Sequence, residues 1–173
     1  MSAPIGLFFG STTGNTADVA ERIARLIGPE RVDLHDIIDI APAAMEDYEY
    51  LIVGIPTWDF GEQQEDWLEV WPELDRLKLA GRRCALFGLG DQLGYGEWYL
   101  DAMGLLHDKL RAAGAEPVGY WPVQGYDFEG SKALTPDGRY FVGLALDEDS
   151  QRAETDGRLE IWVPQVLDAF ALD

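Results

Sequence analysis

Three short segments carry residue types and spacings suited to chemistry. The first is Gly10-Ser11-Thr12-Thr13-Gly14-Asn15-Thr16, set between the apolar run Ile5 to Phe9 and the helically spaced Val19, Ala20, Ile23, Ala24 and Ile27. This spacing puts the segment at a helix N-terminus, where free amides and the helix dipole favour an anion. The hydroxyls of Ser11, Thr12, Thr13 and Thr16 add donors at the same point. No GK[ST] ending is present, so this is not a nucleoside-triphosphate loop. Neutral donors without a cation suit a single phosphate monoester. The plainer alternative is a helix start rich in capping residues, because Ser and Thr are common there.

The other two segments are Pro56-Thr57-Trp58-Asp59-Phe60-Gly61 and Gly88-Leu89-Gly90-Asp91-Gln92-Leu93-Gly94-Tyr95-Gly96-Glu97-Trp98. Each follows a strand-like run, Tyr50 to Ile55 and Cys84 to Phe87. Trp58 and Tyr95 there have little core to fill, and two aromatic planes flanking a crevice can sandwich a flat heterocycle. The glycines let backbone approach a ligand closely. Packing of both rings on their own loops is the alternative, since aromatic residues often anchor loops.

The elements that position these segments alternate along the chain. A weaker strand covers residues 31–34. Trp67, Leu68, Trp71 and Leu74 form a helical stripe disturbed by Pro72. Tyr99, Ala102, Met103, Leu106 and Leu110 form another, closed by Gly114. Residues 116–121 and 141–145 read as two halves of a fifth strand. Leu159, Trp162, Val163, Val166, Leu167 and Phe170 mark a last helix, which Pro164 is expected to kink. This alternation predicts an α/β fold, a doubly wound five-stranded parallel sheet of order 2-1-3-4-5, filling residues 1–173 as one domain. Ligands then bind at the carboxyl ends of the strands, where all three segments fall.

Composition narrows the function classes. Hydrophobic residues make up 47% of the 173, which excludes a disordered chain, and no apolar run is long enough to span a bilayer. Met1-Ser2-Ala3-Pro4 leads directly into a strand pattern without a basic region, so a cytoplasmic protein is expected. The single cysteine, Cys84, excludes an internal disulfide and a CxxC pair, and is expected to be a buried strand residue. A net charge of −19 repels nucleic acid and anionic lipid and suits a basic partner, or serves solubility alone. Glu62, Glu65, Asp66 and Glu69, at i, i+3, i+4 and i+7, would share one helix face pointing away from Trp67, Leu68 and Trp71. His35 and His107 lie outside the three segments and are expected to be structural or solvated. Neither HExxH nor GxSxG is present.

Together these segments resemble the flavodoxin family over essentially the whole chain. Gly10 to Thr16 looks like its S/T-x-T-G-x-T phosphate loop. Pro56-Thr57-Trp58 and Gly90-Asp91-Gln92-Leu93-Gly94-Tyr95 look like its two flavin-facing loops. Gly125-Tyr126-Asp127-Phe128 with Ser131-Lys132-Ala133-Leu134 resembles the fifth-strand insertion of the long-chain class, and residues 141–149 resemble the segment after it. The resemblance implies non-covalent FMN. Ser11, Thr12, Thr13, Gly14, Asn15 and Thr16 would hold its phosphate. Trp58 and Tyr95 would cover the ring. Thr57, Asp59, Leu89, Gly90 and Asp91 would line the ring and its pyrimidine edge, and Asp147 would lie near the ribityl chain. The turn of Trp58, Asp59, Phe60 and Gly61 would reorient a carbonyl when the flavin is protonated at N5. That change calls for a positive φ, which Asp59 and Phe60 resist more than glycine. Leu89 departs from a frequent threonine.

The function so implied is a low-potential one-electron carrier, likewise a monomer and not an enzyme. It would work between redox partners such as a flavodoxin/ferredoxin–NADP reductase, nitrogenase reductase or other flavodoxin-dependent enzymes. The alternative on the same fold is an FMN-dependent NAD(P)H:quinone reductase, which needs an open flavin face. A phosphoacceptor signalling domain would need a phosphorylatable Asp where the third strand ends, and this chain has Gly54-Ile55-Pro56-Thr57 there.

Overall fold

The computed structural model describes residues 3–172; Met1 and Ser2, which entered the localisation expectation, lie outside the described residues. The principal strands are β1 (Ile5–Phe9), β2 (Val32–Asp36), β3 (Tyr50–Trp58) and β5 (Arg83–Leu89). They pair in parallel in the order β2-β1-β3-β5. The fifth position is shared. β6 (Glu116–Val118) pairs with Arg83–Ala85, and β9 (Leu144–Leu146) pairs with Phe87–Leu89, both parallel to β5. This is the order 2-1-3-4-5 with a divided last strand. The first half is shorter than the expected 116–121, because Gly119 at φ +78° turns the chain away. Trp121–Pro122 then forms β7, an antiparallel hairpin with β8 (Tyr140–Phe141).

Strands buried on both faces read as continuous apolar runs, with alternate side chains serving opposite layers. Phe8, Val53 and Leu86 pack on one side with Trp67 and Met103, under α2 (Glu65–Leu74) and α3 (Asp101–Ala112). Leu7, Ile52 and Phe87 pack on the other with Ile23 and Trp162, under α1 (Asn15–Ile27) and α4 (Thr155–Ala169). Trp67 is fully buried, and its indole N–H donates to the Gly54 carbonyl at 3.1 Å, pinning α2 to the central strand. Cys84 is buried in β5, and burial pushes its thiol up to about 12. His35 and His107 each bond a tyrosine hydroxyl, Tyr48 at 2.8 Å and Tyr120 at 2.7 Å.

Pro164 lies inside α4, as expected, and the bond it cannot make would have gone to the carbonyl of exposed Glu160. One expectation changes at α2. Glu62 is not helical: Glu62–Gln63 forms β4, antiparallel to Thr57 and Trp58, and Gln64 caps α2 by accepting from the Trp67 amide. The acidic set therefore does not form one helix face through Glu62.

Gly104 in α3 lets the returning insertion lie directly on the helix. A Cβ there would stand 2.2 Å from the Lys132 carbonyl oxygen, whereas a Cβ on Gly157 in α4 meets nothing within 4 Å. Gly104→Ala should lower stability by about 1–3 kcal/mol through overpacking. Gly157→Ala should raise it by about 0.5–1 kcal/mol through helix propensity. Urea unfolding of both variants checks this, and equal effects would refute the close-approach role of Gly104.

Candidate functional site

The chain leaves β1 at the carboxyl edge and enters α1 through a compact loop. The Ser11 hydroxyl accepts from the Gly14 and Ala17 amides at 3.2 and 3.3 Å. Gly14 sits at φ +92°, a conformation only glycine adopts freely, although a Cβ there would meet no neighbour. Among the described residues, the amides of Asn15 and Thr16 have no hydrogen-bond partner. They are the donors that a helix N-terminus leaves open to an anion. Thr13, Asn15 and Thr16 line one end of a cleft of about 290 Å³.

The second wall comes from the end of β3. Thr57 accepts the Ala102 amide at 3.1 Å and so ties the strand end to α3. Trp58 lines the cleft, and its indole N–H is buried without a partner among the described residues. Asp59 already holds φ +46° and Gly61 φ +89°. The positive φ expected only on reorientation is thus built into the turn, and Asp59 carries its strain. Phe60 points outward, 64% exposed and edge-on to Trp98 at 4.9 Å.

The third wall follows β5. Asp91 accepts the Leu93 and Gly94 amides at 3.2 and 2.8 Å, and its carbonyl accepts the Tyr95 amide. Leu89, Gly90, Asp91 and Tyr95 line the cleft opposite Thr57, Trp58 and Asp59. Pro56, Glu148 and Asp149 complete the lining.

Six expected residues do not line the cleft. Ser11 and Gly14 shape the first loop. Thr12 accepts from Gln64 Nε2 at 2.9 Å and faces a neighbouring depression with Glu62 and Leu68. Phe60 forms the outer rim. Gly61 backs onto α3, where a Cβ would stand 2.7 Å from Asp101 Oδ2. Asp147 is completely buried behind the cleft. Glu148 and Asp149, two and three positions beyond the end of β9, line the cleft instead. The available signal was the acidic run at a carboxyl strand end, where position alone did not tell which acid reaches the cleft.

The cleft is electrostatically divided. Neutral donors occupy one end, whereas Asp59, Asp91, Glu148 and Asp149 lie along the rest with no lysine or arginine in the lining. Burial, then the charges of Asp91 and Asp147, hold the Asp149 carboxyl above the usual range. Such a site accepts an elongated ligand with one anionic end and a flat body and disfavours further negative charge along the body.

The flavodoxin family model matches residues 7–162. The chain belongs to the flavodoxin family. It is 56% identical over 167 residues to Flavodoxin 2 of Escherichia coli, covering 96% of each chain. It is 48% identical over 172 residues to a flavodoxin of a Nostoc species, covering 99% of this chain and all of that one. A solved structure of the Fusobacterium nucleatum flavodoxin bound to flavin mononucleotide superposes with a TM-score of 0.89 at 27% identity, covering 95% of this chain and 97% of that one.

The raised Asp149 carboxyl gives a pH signature within this flavodoxin fold. Its folded form favours the proton. The stability this group contributes is therefore complete below the ordinary carboxylate range and is lost as pH rises through the raised value. Asp149→Asn should make the protein without added ligand more stable than wild type at neutral pH. The gain should close as pH falls below about 4. Denaturant midpoints across this range check it, and a gain independent of pH would refute the charge origin.

Proposed function

We propose that this chain is a low-potential one-electron carrier that holds one FMN non-covalently in the cleft and passes electrons between redox partner proteins. The observation that carries the reading is the division of the cleft between a cation-free donor loop and a carboxylate-lined body flanked by Trp58 and Tyr95. Its relatives support it: they are flavodoxins, and the Fusobacterium nucleatum protein is described with flavin mononucleotide bound.

The residues present fit the group. The open amides of Asn15 and Thr16 and the hydroxyls of Thr13 and Thr16 would take the phosphate. The orphaned Trp58 indole N–H supplies a buried donor that needs an acceptor. Trp58 and Tyr95 would cover the flat ring, and backbone at Gly90 allows close approach. When bound, FMN supplies the one-electron chemistry, and the protein tunes it. Four carboxylates along the cleft raise the cost of added negative charge, which keeps the potential low. With both ring faces covered by aromatic residues, hydride donors are excluded, so the quinone reductase reading is not favoured. Around the opening, exposed Phe60, Leu93 and Tyr95 stand beside Glu62, Glu65 and Glu97, a surface suited to a basic partner. A flavodoxin/ferredoxin–NADP reductase as donor and nitrogenase reductase as acceptor fit this chemistry. We also read the chain as a monomeric single domain acting in the cytoplasm. No helix among the described residues is long and apolar enough to cross a membrane.

The direct test is the identity of the cofactor. The purified protein should release FMN, one per chain, on denaturation, and stoichiometric FAD would overturn the reading. Trp58→Ala and Tyr95→Ala should each weaken FMN binding by about 1–3 kcal/mol, read by fluorescence titration.

The acidic rim makes a second expectation. Electron transfer with a basic partner should slow markedly between low ionic strength and about 0.1 M salt, where the screening length falls to about 10 Å. Glu62→Lys with Glu65→Lys should slow it at low salt and flatten the salt dependence. A rate indifferent to both changes would leave the charge only a solubility role.

A further inference from the structure

The cleft has a support that its lining does not reveal. Gln92 lies within the third loop, between the cleft residues Asp91 and Tyr95, yet it is only 2% exposed. It turns inward to Asp147, a carboxylate with no exposure at all. Asp147 Oδ2 accepts the Gln92 backbone N–H at 3.0 Å, Gln92 Nε2–H at 2.9 Å and the Ser150 hydroxyl. Its Oδ1 accepts the Asp149 and Ser150 amides at 3.0 and 2.9 Å. Five donors on one buried carboxylate satisfy it without a cation. Burial pushes its carboxyl up, but the hydrogen bonds from Ser150 and Gln92 outweigh that and hold it below the usual carboxylate range.

The remaining polar atom of Gln92 reaches a third segment. Oε1 accepts the Asp127 amide, which belongs to the insertion between the two halves of the last strand. The insertion is stitched further to the same loop, since the Gly96 carbonyl accepts the Glu129 and Gly130 amides. One amide and one carboxylate therefore join the loop that carries Tyr95, the turn that carries Glu148 and Asp149, and the insertion. The orientation of the Gln92 amide follows from chemistry. Nitrogen must face the carboxylate and oxygen must face a backbone N–H.

We propose that Gln92 and Asp147 form a buried polar clasp that positions the ring-binding half of the cleft, so that they are positioning residues for the flavin although neither lines the cleft. The inference rests on the FMN reading above. The phosphate end is built separately, from Ser11 and the N-terminus of α1, and is independent of the clasp.

Reversing the polarity of the pair tests this. Asp147→Asn turns an amide group toward Gln92 and sets donor against donor. Gln92→Glu places two carboxylates together. The double variant Gln92→Glu/Asp147→Asn restores an amide facing a carboxylate and still gives the Asp127 amide an acceptor; the backbone N–H of residue 92 loses its acceptor, and the Ser150 hydroxyl must rotate to accept instead of donate. Titration of the flavin-stripped proteins with riboflavin and with FMN separates the two halves of the site, because riboflavin lacks the phosphate. Both single variants should lose about tenfold or more in affinity for each ligand, by the same factor. The double variant should bind both more tightly than either single variant. Three outcomes would overturn the clasp: single variants within about twofold of wild type, a double variant no tighter than the singles, or a loss for FMN larger than for riboflavin. Wild-type protein that binds neither ligand would instead overturn the FMN reading.

Discussion

The parallel direction of the main strands is the constraint on which the structure depends. Because β1, β3, β5 and β9 run the same way, each delivers its following loop to one edge of the sheet. Both faces of the sheet are covered by helices, so that edge is where irregular backbone and polar side chains can gather without burying unpaired groups. The hydroxyl-rich loop, the Trp58 turn, the Tyr95 loop and the acidic turn of Glu148 and Asp149 are brought together by topology, although they are far apart in sequence. The sheet needs little at that edge in return, beyond the anchors of Thr57 on α3 and of Gln92 on Asp147.

Much of this was legible from residue types. Glycines, hydroxyls and isolated aromatic residues after apolar runs break the strand and helix periods, and they mark the three loops because a packed core has no use for them there. The divided last strand was legible as two apolar runs, but its boundaries were not: Gly119 at positive φ ends the first half, and a lone glycine does not announce its φ. The two-residue β4 was invisible, since its pairing with Thr57 and Trp58 depends on the turn geometry at Asp59 and Gly61. The division of labour within the site was also hidden. The oxygens of Ser11 and Thr12 accept from the chain's own amides and from Gln64, which fixes each hydroxyl in place and leaves its O–H free to donate. The burial of Gln92, Asp147 and Glu148, beside the exposure of Asp149, is a matter of one-residue direction that composition does not encode.

Charge and binding are in opposition in this molecule. The chain carries −19 overall, and the cleft repeats that sign along most of its length. An anionic ligand must approach against this field, and only the short-range donors at the start of α1 reverse it locally. The positive end of the helix dipole and the open amides are effective because they are fixed in place before the ligand arrives. A lysine in the same loop would bind phosphate through a long, mobile side chain and would weaken the field along the cleft body.

The divided last strand bears on self-association. An exposed strand edge is a template for pairing with another chain, and long flat edges promote aggregation. On one side of this sheet the edge is split into β6 and β9, three residues each, with a hairpin rising between them. On the other side β2 is five residues long and interleaves Asp33, His35 and Asp36 with its apolar positions. The β6/β9 border is broken into pieces too short to recruit a neighbour, and on β2 the interleaved charged and polar side chains discourage pairing. A carrier that meets its partners by collision can thus be abundant without its sheets adding to one another.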